Sequence, residues 1–204
     1  MGQVIALNDL ITSQRVWRGA APTAPTSLQP TGLAELDAGL PSGGWPEASL
    51  IEILTVADGV GELDLLVPTL ARLSNAGQLL AMISPPYIPY APAFQARSID
   101  LGQVQIIQAE PKLALWAAEQ CLRSGAFGAV LMWPQKIDHH GLRRLQVAAD
   151  SGRTLGFAFR SLKCGDNPSP APLRLQIKAS RTLRVAKCRG GVPPHRTFAI
   201  PAHE

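Results

Sequence analysis

Short apolar segments alternate with longer amphipathic segments through the middle of the chain, and this alternation limits the fold more than any other feature. The apolar segments cover residues 49–54, 78–83, 104–108, 129–133 and 154–159. The segments between them have helical spacing and cover residues 61–75, 93–97, 111–123 and 138–150. Strands that are apolar on both faces and are separated by helices are typical of a mostly parallel sheet with helices on both sides. The sequence therefore predicts an α/β fold.

The flanking segments extend this prediction to the rest of the chain. Residues 31–40 have the pattern of a short capped helix, and residues 41–46 form a Pro/Gly turn. Residues 173–177 and 182–188 predict two antiparallel strands at the sheet edge. We expect four parts in order: an N-terminal helix (1–18), a proline-rich linker (19–30), the α/β domain (31–190) and an irregular C-terminal tail (191–204).

The composition limits the class of protein. A chain of 204 residues with 46% hydrophobic content can bury a core without disulfides or metals. Its three cysteines, Cys121, Cys164 and Cys188, are far apart and odd in number, which argues against a disulfide framework or a zinc ribbon. The chain has no signal-peptide pattern and no run of eighteen apolar residues. We expect a cytoplasmic protein that makes no membrane contact.

Charge is divided unevenly along the chain. Residues 1–135 contain six Lys/Arg against eleven Asp/Glu, whereas residues 136–204 contain thirteen against four, a net charge of +9. A basic final third indicates an acidic partner, either nucleic acid or an acidic protein surface. A solvated face that keeps the protein soluble would have the same composition, and the sequence leaves both interpretations open.

Two passages resemble the RecA family. Residues 29–54, QPTGLAELDAGLPSGGWPEASLIEIL, resemble the approach to the ATP site in RecA: a Thr-Gly helix, a Gly-Gly turn and an Ile-Glu-Ile strand. Residues 117–125, AAEQCLRSG, followed by the apolar strand 129–133, resemble a second RecA passage. This resemblance, over about residues 29–135, implies a RecA-like core.

The loop after the Ile-Glu-Ile strand departs from the family at the residues that bind ATP. A phosphate loop, G-x-x-x-x-G-K-[ST], needs a lysine for the terminal phosphates and a hydroxyl for Mg²⁺. The corresponding degenerate loop here contains Asp58, Gly59, Gly61 and Glu62. It has neither the lysine nor the Ser/Thr at the expected positions. Between Arg18 and Arg97 the only cation is Arg72, so we expect that no cation faces this loop.

The second half of the nucleotide site is also missing. The strand 129–133 ends in Trp133 and Pro134, where a nucleotidase would have an acid that orients Mg²⁺. The segment 84–87, where RecA has its catalytic glutamate, contains no carboxylate. We therefore predict a chain with no catalytic residues, no cofactor and no metal.

Further motifs resemble the ImuA family, the SulA-related proteins of bacterial translesion-synthesis cassettes. These motifs are RVWRG (15–19), GVGEL (59–63), LARLS (70–74), SPPYIPYAP (84–92), LWAAEQ (115–120) and RRLQ (143–146). The resemblance implies a non-catalytic SOS-induced accessory protein that binds ImuB and RecA and works indirectly with an error-prone replicative polymerase.

Two other function classes remain open. A SulA-type cell-division inhibitor, which would bind the tubulin-like protein FtsZ, shares the degenerate core. The linker, the N-terminal helix and the basic strand pair favour the translesion interpretation, because the division inhibitors are shorter. The interpretation as a stand-alone DNA-binding protein depends on the basic final third alone, which contains no recognised DNA-binding motif.

The candidate contact residues fall into three groups. The N-terminal group is Arg15, Trp17 and Arg18, and the second group, Tyr87 and Tyr90, lies in a rigid proline-rich loop. The third is a basic group on the predicted edge strands, which could contact an acidic partner or DNA, or could protect the edge from aggregation: Lys178, Arg181, Arg184, Lys187 and Arg189.

Six other residues have simpler interpretations. His139 and His140 lie at a predicted helix start, and adjacent residues point in different directions, so we expect no shared metal. Arg143 and Arg144 are expected on a solvated helix face. Trp116 and Trp133 are expected to pack in the core.

Overall fold

The computed structural model describes residues 27–201. The predicted N-terminal helix (1–18) and residues 19–26 of the predicted linker lie outside the described residues, as do the contact candidates Arg15, Trp17 and Arg18. Within residues 27–201, no helix is both long enough and apolar enough to cross a membrane.

The described residues form five α-helices and eight strands. The helices are α1 (Ala34–Gly39), α2 (Glu62–Asn75), α3 (Ala91–Ala96), α4 (Pro111–Ser124) and α5 (His139–Gly152). The strands are β1 (Leu50–Thr55), β2 (Leu79–Ile83), β3 (Val104–Ile107), β4 (Phe127–Met132), β5 (Leu155–Ser161), β6 (Leu173–Ile177), β7 (Thr182–Cys188) and β8 (Thr197–Ala199). Every predicted helix and strand within residues 31–188 is present, with boundaries shifted by at most a few residues.

The strands form one mixed sheet in the order β3-β2-β4-β5-β1-β6-β7-β8. The strands from β3 to β6 are parallel, while β7 and β8 are antiparallel to their neighbours. This is the α/β architecture that the sequence predicts. One prediction is wrong: the tail was expected to be irregular, but residues 197–199 form β8, which pairs with β7 and replaces it as the edge strand.

Strand β1 lies at the centre of the sheet between β5 and β6, and all six of its residues are buried. Alternate side chains of β1 point to opposite faces. On one face, Ile51 and Ile53 join the larger apolar cluster, which also contains side chains of α1 and α2. On the other face, Leu50 joins a second cluster with α4 and α5.

The local sequence explains where the main helices begin and end. Helix α4 starts at Pro111, whose missing N–H is tolerated in the first turn, and it is followed by Gly125, whose φ of 67° stops the helix. Helix α5 is capped by Asp138, whose side chain accepts a hydrogen bond from the Gly141 N–H at 2.7 Å. His139 and His140 begin α5, which confirms the predicted helix start.

Helices α4 and α5 cover β1, β2, β4 and β5 on the second face, and no residue of β6–β8 belongs to the apolar cluster on that face. The pattern of β7 changes accordingly: Leu183 and Val185 are buried, whereas Arg184 between them is exposed. This alternation is typical of an antiparallel strand with one solvated face. The C-terminal ribbon β6–β8 therefore has one apolar face toward the core and one polar face.

Candidate functional site

The carboxyl ends of the parallel strands meet at one edge of the sheet, which we call the carboxyl edge. In open α/β sheets, ligands bind in the crevice outside these strand ends. The loop 56–61 joins β1 to α2 at this edge, in the position where the RecA resemblance expects a phosphate loop. A cavity of about 240 Å³ lies beside it, lined in part by Val56, Asp58 and Trp133.

The loop is occupied by a carboxylate of the chain itself. Gly61 has a φ of 99° and precedes α2, and it provides no side-chain cap. Glu62 is only 6% exposed, and its Oε1 accepts a hydrogen bond from the Gly59 N–H at 2.9 Å. An anion at a helix N-terminus is stabilised by the free N–H groups and the helix dipole. The Glu62 carboxylate therefore takes the kind of position that a bound phosphate would take.

Two arginines from distant parts of the chain lie beside this loop. Asp64, in the first turn of α2, forms ion pairs with Arg97 Nη1 at 3.0 Å and with Arg181 Nη2 at 2.7 Å. A Cβ atom at position 61 would lie 2.9 Å from Arg181 Nη1, so the guanidinium is packed directly against Gly61. The prediction that no cation faces the loop is wrong, because the fold brings Arg181 there from the β6–β7 turn.

Trp133 directly follows β4, at the position where the RecA resemblance expects a Mg²⁺-orienting acid. Its ring stacks on that of Phe159, with centroids 4.7 Å apart and ring planes 18° apart. The side chain is partly buried and packs against the larger apolar cluster, which confirms the interpretation as core packing. Trp133 also lines a mostly apolar cavity of about 480 Å³, together with Leu115, Met132 and Pro134.

The proline-rich loop 84–90 places large apolar side chains in solvent at the same edge. Tyr87 is 73% exposed, Ile88 77% and Tyr90 73%. Val56, across the smaller cavity, is 49% exposed. Clustered exposed apolar side chains of this size mark surfaces that contact other proteins. The structure thus places both tyrosines where the sequence predicts an exposed loop.

A buried charge cluster that the sequence pattern did not predict joins the neighbouring strands β5, β1 and β6. Glu52 of β1 is fully buried and forms ion pairs with Arg160 of β5 and, at 2.9 Å, with Arg174 Nε of β6. Arg174 also donates to the carbonyls of Cys164 and Gly165, both at 2.9 Å. A glutamate in an otherwise apolar strand was the available signal, because a buried carboxylate requires a partner.

The basic candidates divide into two classes. Arg181 is held by Asp64 and by the Ile200 and Pro201 carbonyls. Lys178, Arg184 and Arg189 are exposed, and Lys187 is half-buried with its Nζ 2.8 Å from the Ser169 carbonyl oxygen. The five residues that the sequence groups together therefore have different environments.

One other candidate differs from expectation. Trp116, expected in the core, is 57% exposed on α4 because the buried side of this helix is formed by Ala118, Glu119 and Leu122. Arg143 and Arg144 are both exposed as expected, and Arg144 also forms an ion pair with Glu119, which pairs with Arg123 at 2.7 Å. In residues 27–201, no three His, Cys, Asp or Glu side chains lie close enough together to hold a metal ion.

The family model described as "Cell division inhibitor SulA" matches residues 50–156, from the first residue of β1 to the second of β5. This is just over half of the chain. The chain belongs to the SulA family. The description of the SulA family is that of an inhibitor rather than of an enzyme. A search of curated proteins gave no match.

Among solved structures, the chain is similar to the crystal structure of SulA from Pseudomonas aeruginosa. The two sequences are 24% identical, and the TM-score is 0.47. The match covers 57% of this chain and 99% of the Pseudomonas SulA chain.

Proposed function

We propose that this chain is a non-catalytic protein of the SOS response that acts by binding other proteins, with FtsZ as the first candidate partner. The observation that carries this proposal is the SulA family match over residues 50–156, which includes the loop 56–61 and the proline-rich loop. The Glu62 carboxylate at the N-terminus of α2 supports it, because this carboxylate already accepts the Gly59 N–H in the loop where the RecA resemblance expects a bound phosphate.

The proposed contact surface is the carboxyl edge around Tyr87, Ile88, Tyr90 and Val56. Tyrosines give a large apolar contact area and a hydroxyl at low conformational cost, which is why they are enriched at protein interfaces. Prolines at positions 85, 86 and 89 limit the conformations that the backbone of the loop can adopt. Such a surface can bind a protein without a large loss of loop entropy.

The direct experiment measures GTP-dependent FtsZ polymerisation by light scattering with increasing amounts of the purified chain. Inhibition is expected for the wild type and a clear loss of inhibition for Tyr87→Ser/Tyr90→Ser. The matched control is Leu28→Ser/Val192→Ser, which removes two apolar side chains that are 79% and 80% exposed elsewhere on the surface. No inhibition by the wild type, or equal loss in both double variants, would contradict the proposal.

A second candidate is the ImuA-type accessory role in translesion synthesis. The observation that favours it is the part of the fold outside residues 50–156: α1 precedes the family match, and β6–β8 extend the same sheet after it. The predicted helix 1–18 and its linker are further additions. In this role the chain would be cytoplasmic and would contact ImuB and RecA directly, and the error-prone replicative polymerase indirectly.

The mechanism that we propose for this second role is mimicry of a RecA protomer. A RecA-like core without a nucleotide site could occupy a RecA subunit interface and cap or recruit filament ends without turnover. The helix predicted at residues 1–18 would make the contact in trans through its proline-rich linker. Deletion of residues 1–18 should then abolish RecA binding in a pull-down and leave the core folded.

Co-purification separates the two candidates. The tagged chain is recovered from damage-treated cells, and the eluate is probed for ImuB, RecA and FtsZ. Recovery of ImuB or RecA supports the translesion role, whereas recovery of FtsZ alone supports the division inhibitor. Retention of RecA by the chain that lacks residues 1–18 would contradict the trans contact.

A further inference from the structure

The polar face of the C-terminal ribbon β6–β8 is distinct from the carboxyl-edge surface described above. Side chains that point to the other face, such as Leu175, Leu183 and Phe198, are buried in the larger apolar cluster. The register pairs Gln176 with Arg184 and Arg184 with Thr197, so these three side chains share the polar face. Arg184 and Thr197 are exposed there.

This polar face carries most of the unneutralised charge of the ribbon. Residues 161–201 contain eight Lys/Arg and one acid, Asp166. Two of these cations are neutralised within the fold: Arg174 pairs with Glu52, and Arg181 pairs with Asp64. Among the described residues, no carboxylate forms a salt bridge with the other cations of the sequence-defined group, Lys178, Arg184, Lys187 and Arg189.

The register gathers several of these cations on one face. Lys187 lies opposite Arg174, so both point away from the apolar cluster that contains Leu173 and Cys188. Arg189 lies next to Cys188, and its Nη2 is 3.4 Å from the Pro170 carbonyl oxygen, in the loop that also receives Lys187. Arg184 lies farther along the same face of β7. The cations thus form a row along the strand rather than a scattered surface charge.

The charges in this row act on one another. Burial first, and then the positive charges of Arg189 and Arg174, hold the pKa of Lys187 below its ordinary value, while Glu52 offsets part of this effect. Mutual repulsion of this kind is relieved when an anion approaches. Binding of a polyanion along this row of cations would therefore be favourable.

We propose that the polar face of β6–β8 binds the phosphate backbone of a nucleic acid. Arginines and lysines supply the cations, and the exposed hydroxyls of Ser180 and Thr197 are donors of the kind that contact phosphate oxygens. The only Phe, Tyr or Trp in residues 161–201 is Phe198, which is buried. Binding therefore depends on the backbone and not on base stacking, and it does not discriminate between sequences.

The test uses the full-length chain and fluorescein-labelled DNA, single-stranded and duplex, with fluorescence anisotropy at 50 and 200 mM salt. Replacing Lys178, Arg184 and Arg189 together by alanine should weaken binding at low salt by about tenfold or more. The slope of log K for DNA binding against log salt concentration should fall in magnitude by about 2–3. Lys187 is left intact because it bonds to the Ser169 carbonyl and so supports the loop.

The matched control removes three exposed cations outside the ribbon, Lys112→Ala/Lys136→Ala/Arg143→Ala, with the same change in net charge. Circular dichroism and thermal melting verify that both triple variants fold. An unchanged affinity in the control supports the proposal. Equal loss in both variants would show an effect of net charge alone and would overturn it.

Absence of DNA binding would also overturn it, as would tighter binding to a fluorescein-labelled poly-glutamate peptide than to DNA, since the partner would then be an acidic protein. This inference does not depend on the choice between FtsZ, ImuB and RecA. The FtsZ light-scattering assay and the DNA anisotropy assay use different surfaces of the molecule, so one can fail without the other.

Discussion

Arg181 Nη2 lies 2.7 Å from Asp64 Oδ2, and this ion pair joins residues that are 117 positions apart in the sequence. Asp64 lies in the first turn of α2, just after the loop 56–61, and Arg181 is in the β6–β7 turn. The same guanidinium donates to the Pro201 carbonyl at 2.6 Å. One side chain thus connects the degenerate loop, the basic ribbon and the residues after β8.

Replacing Arg181 by alanine should loosen this connection. Asp64 keeps Arg97 as a partner, and both members of the Arg181 pair are partly solvated, so we expect a loss of about 1 kcal/mol in the free energy of unfolding. Urea denaturation followed by circular dichroism measures it. Arg184→Ala, at an exposed position two residues into β7, is the control and should leave the midpoint unchanged.

Removing the carboxylate of Glu52 should have a much larger effect. Arg160 and Arg174 are 4% and 9% exposed, and without Glu52 they would be buried charges with only carbonyl partners. Loss of one member of a buried ion pair costs about 3–5 kcal/mol. We expect Glu52→Gln to lower the urea midpoint strongly. Glu47→Gln removes an exposed ion pair, in which Glu47 Oε2 lies 3.9 Å from Arg153 Nη2, and it should have almost no effect on the urea midpoint.

The buried indole of Trp45 provides a test of packing in the larger apolar cluster. Its Nε1–H donates to Thr69 Oγ1 at 2.8 Å, and its ring lies edge-on to Phe157 with centroids 5.2 Å apart. Thr69→Val keeps the volume and leaves the indole N–H without this acceptor, at a cost of about 1–3 kcal/mol. Thr69→Ser keeps the hydroxyl and should retain more of the hydrogen-bond energy. If Thr69→Val and Thr69→Ser had the same urea midpoint, that result would contradict this role for the hydroxyl.

The thiols should react slowly in the folded chain. Burial raises the pKa of both Cys121 and Cys188. A raised pKa means less thiolate at a given pH, and the thiolate is the nucleophile. In a Cys164→Ser background, alkylation by iodoacetamide at pH 8 should be much slower for the native chain than for the urea-unfolded chain. Equal rates would show that burial does not protect these thiols.

The same two thiols give the stability a pH dependence. Their folded-state pKa is higher than the unfolded value, so the folded chain binds more protons. The contribution to stability is fully present below the unfolded pKa of about 8.5 and decreases as the pH rises above it. Urea midpoints of the Cys164→Ser chain should fall between pH 8 and pH 10, and less so when Cys121 and Cys188 are also serine.

Nucleotide binding should be absent. The Gly59 N–H already bonds to Glu62, and no lysine follows the loop glycines. Titration of the chain with mant-ATP and Mg²⁺ should give no saturable fluorescence change. Saturable binding that is lost in Glu62→Ala, or that competes with unlabelled ATP, would contradict the prediction of a degenerate site.

The order of helices and strands could be predicted because it depends on local properties of the chain. The apolar segments at residues 49–54 and 129–133 are short, and prolines and glycines such as Pro111 and Gly125 stand at the helix ends. These signals act within a few residues, through hydrogen bonding and backbone conformation. Strand β8 was missed because three residues, flanked by prolines and a histidine, give almost no periodic signal.

From the sequence alone one can predict the α/β class, the absence of a lysine and a Ser/Thr directly after the loop glycines, and the basic final third. Which charges are free and which are paired depends on the three-dimensional fold. Arg181, Arg184 and Lys187 look alike in the sequence, yet one is held by Asp64, one is exposed and one supports a loop. The physical reason is that ion pairs form between groups close in space, and strand order brings together residues that are far apart along the chain.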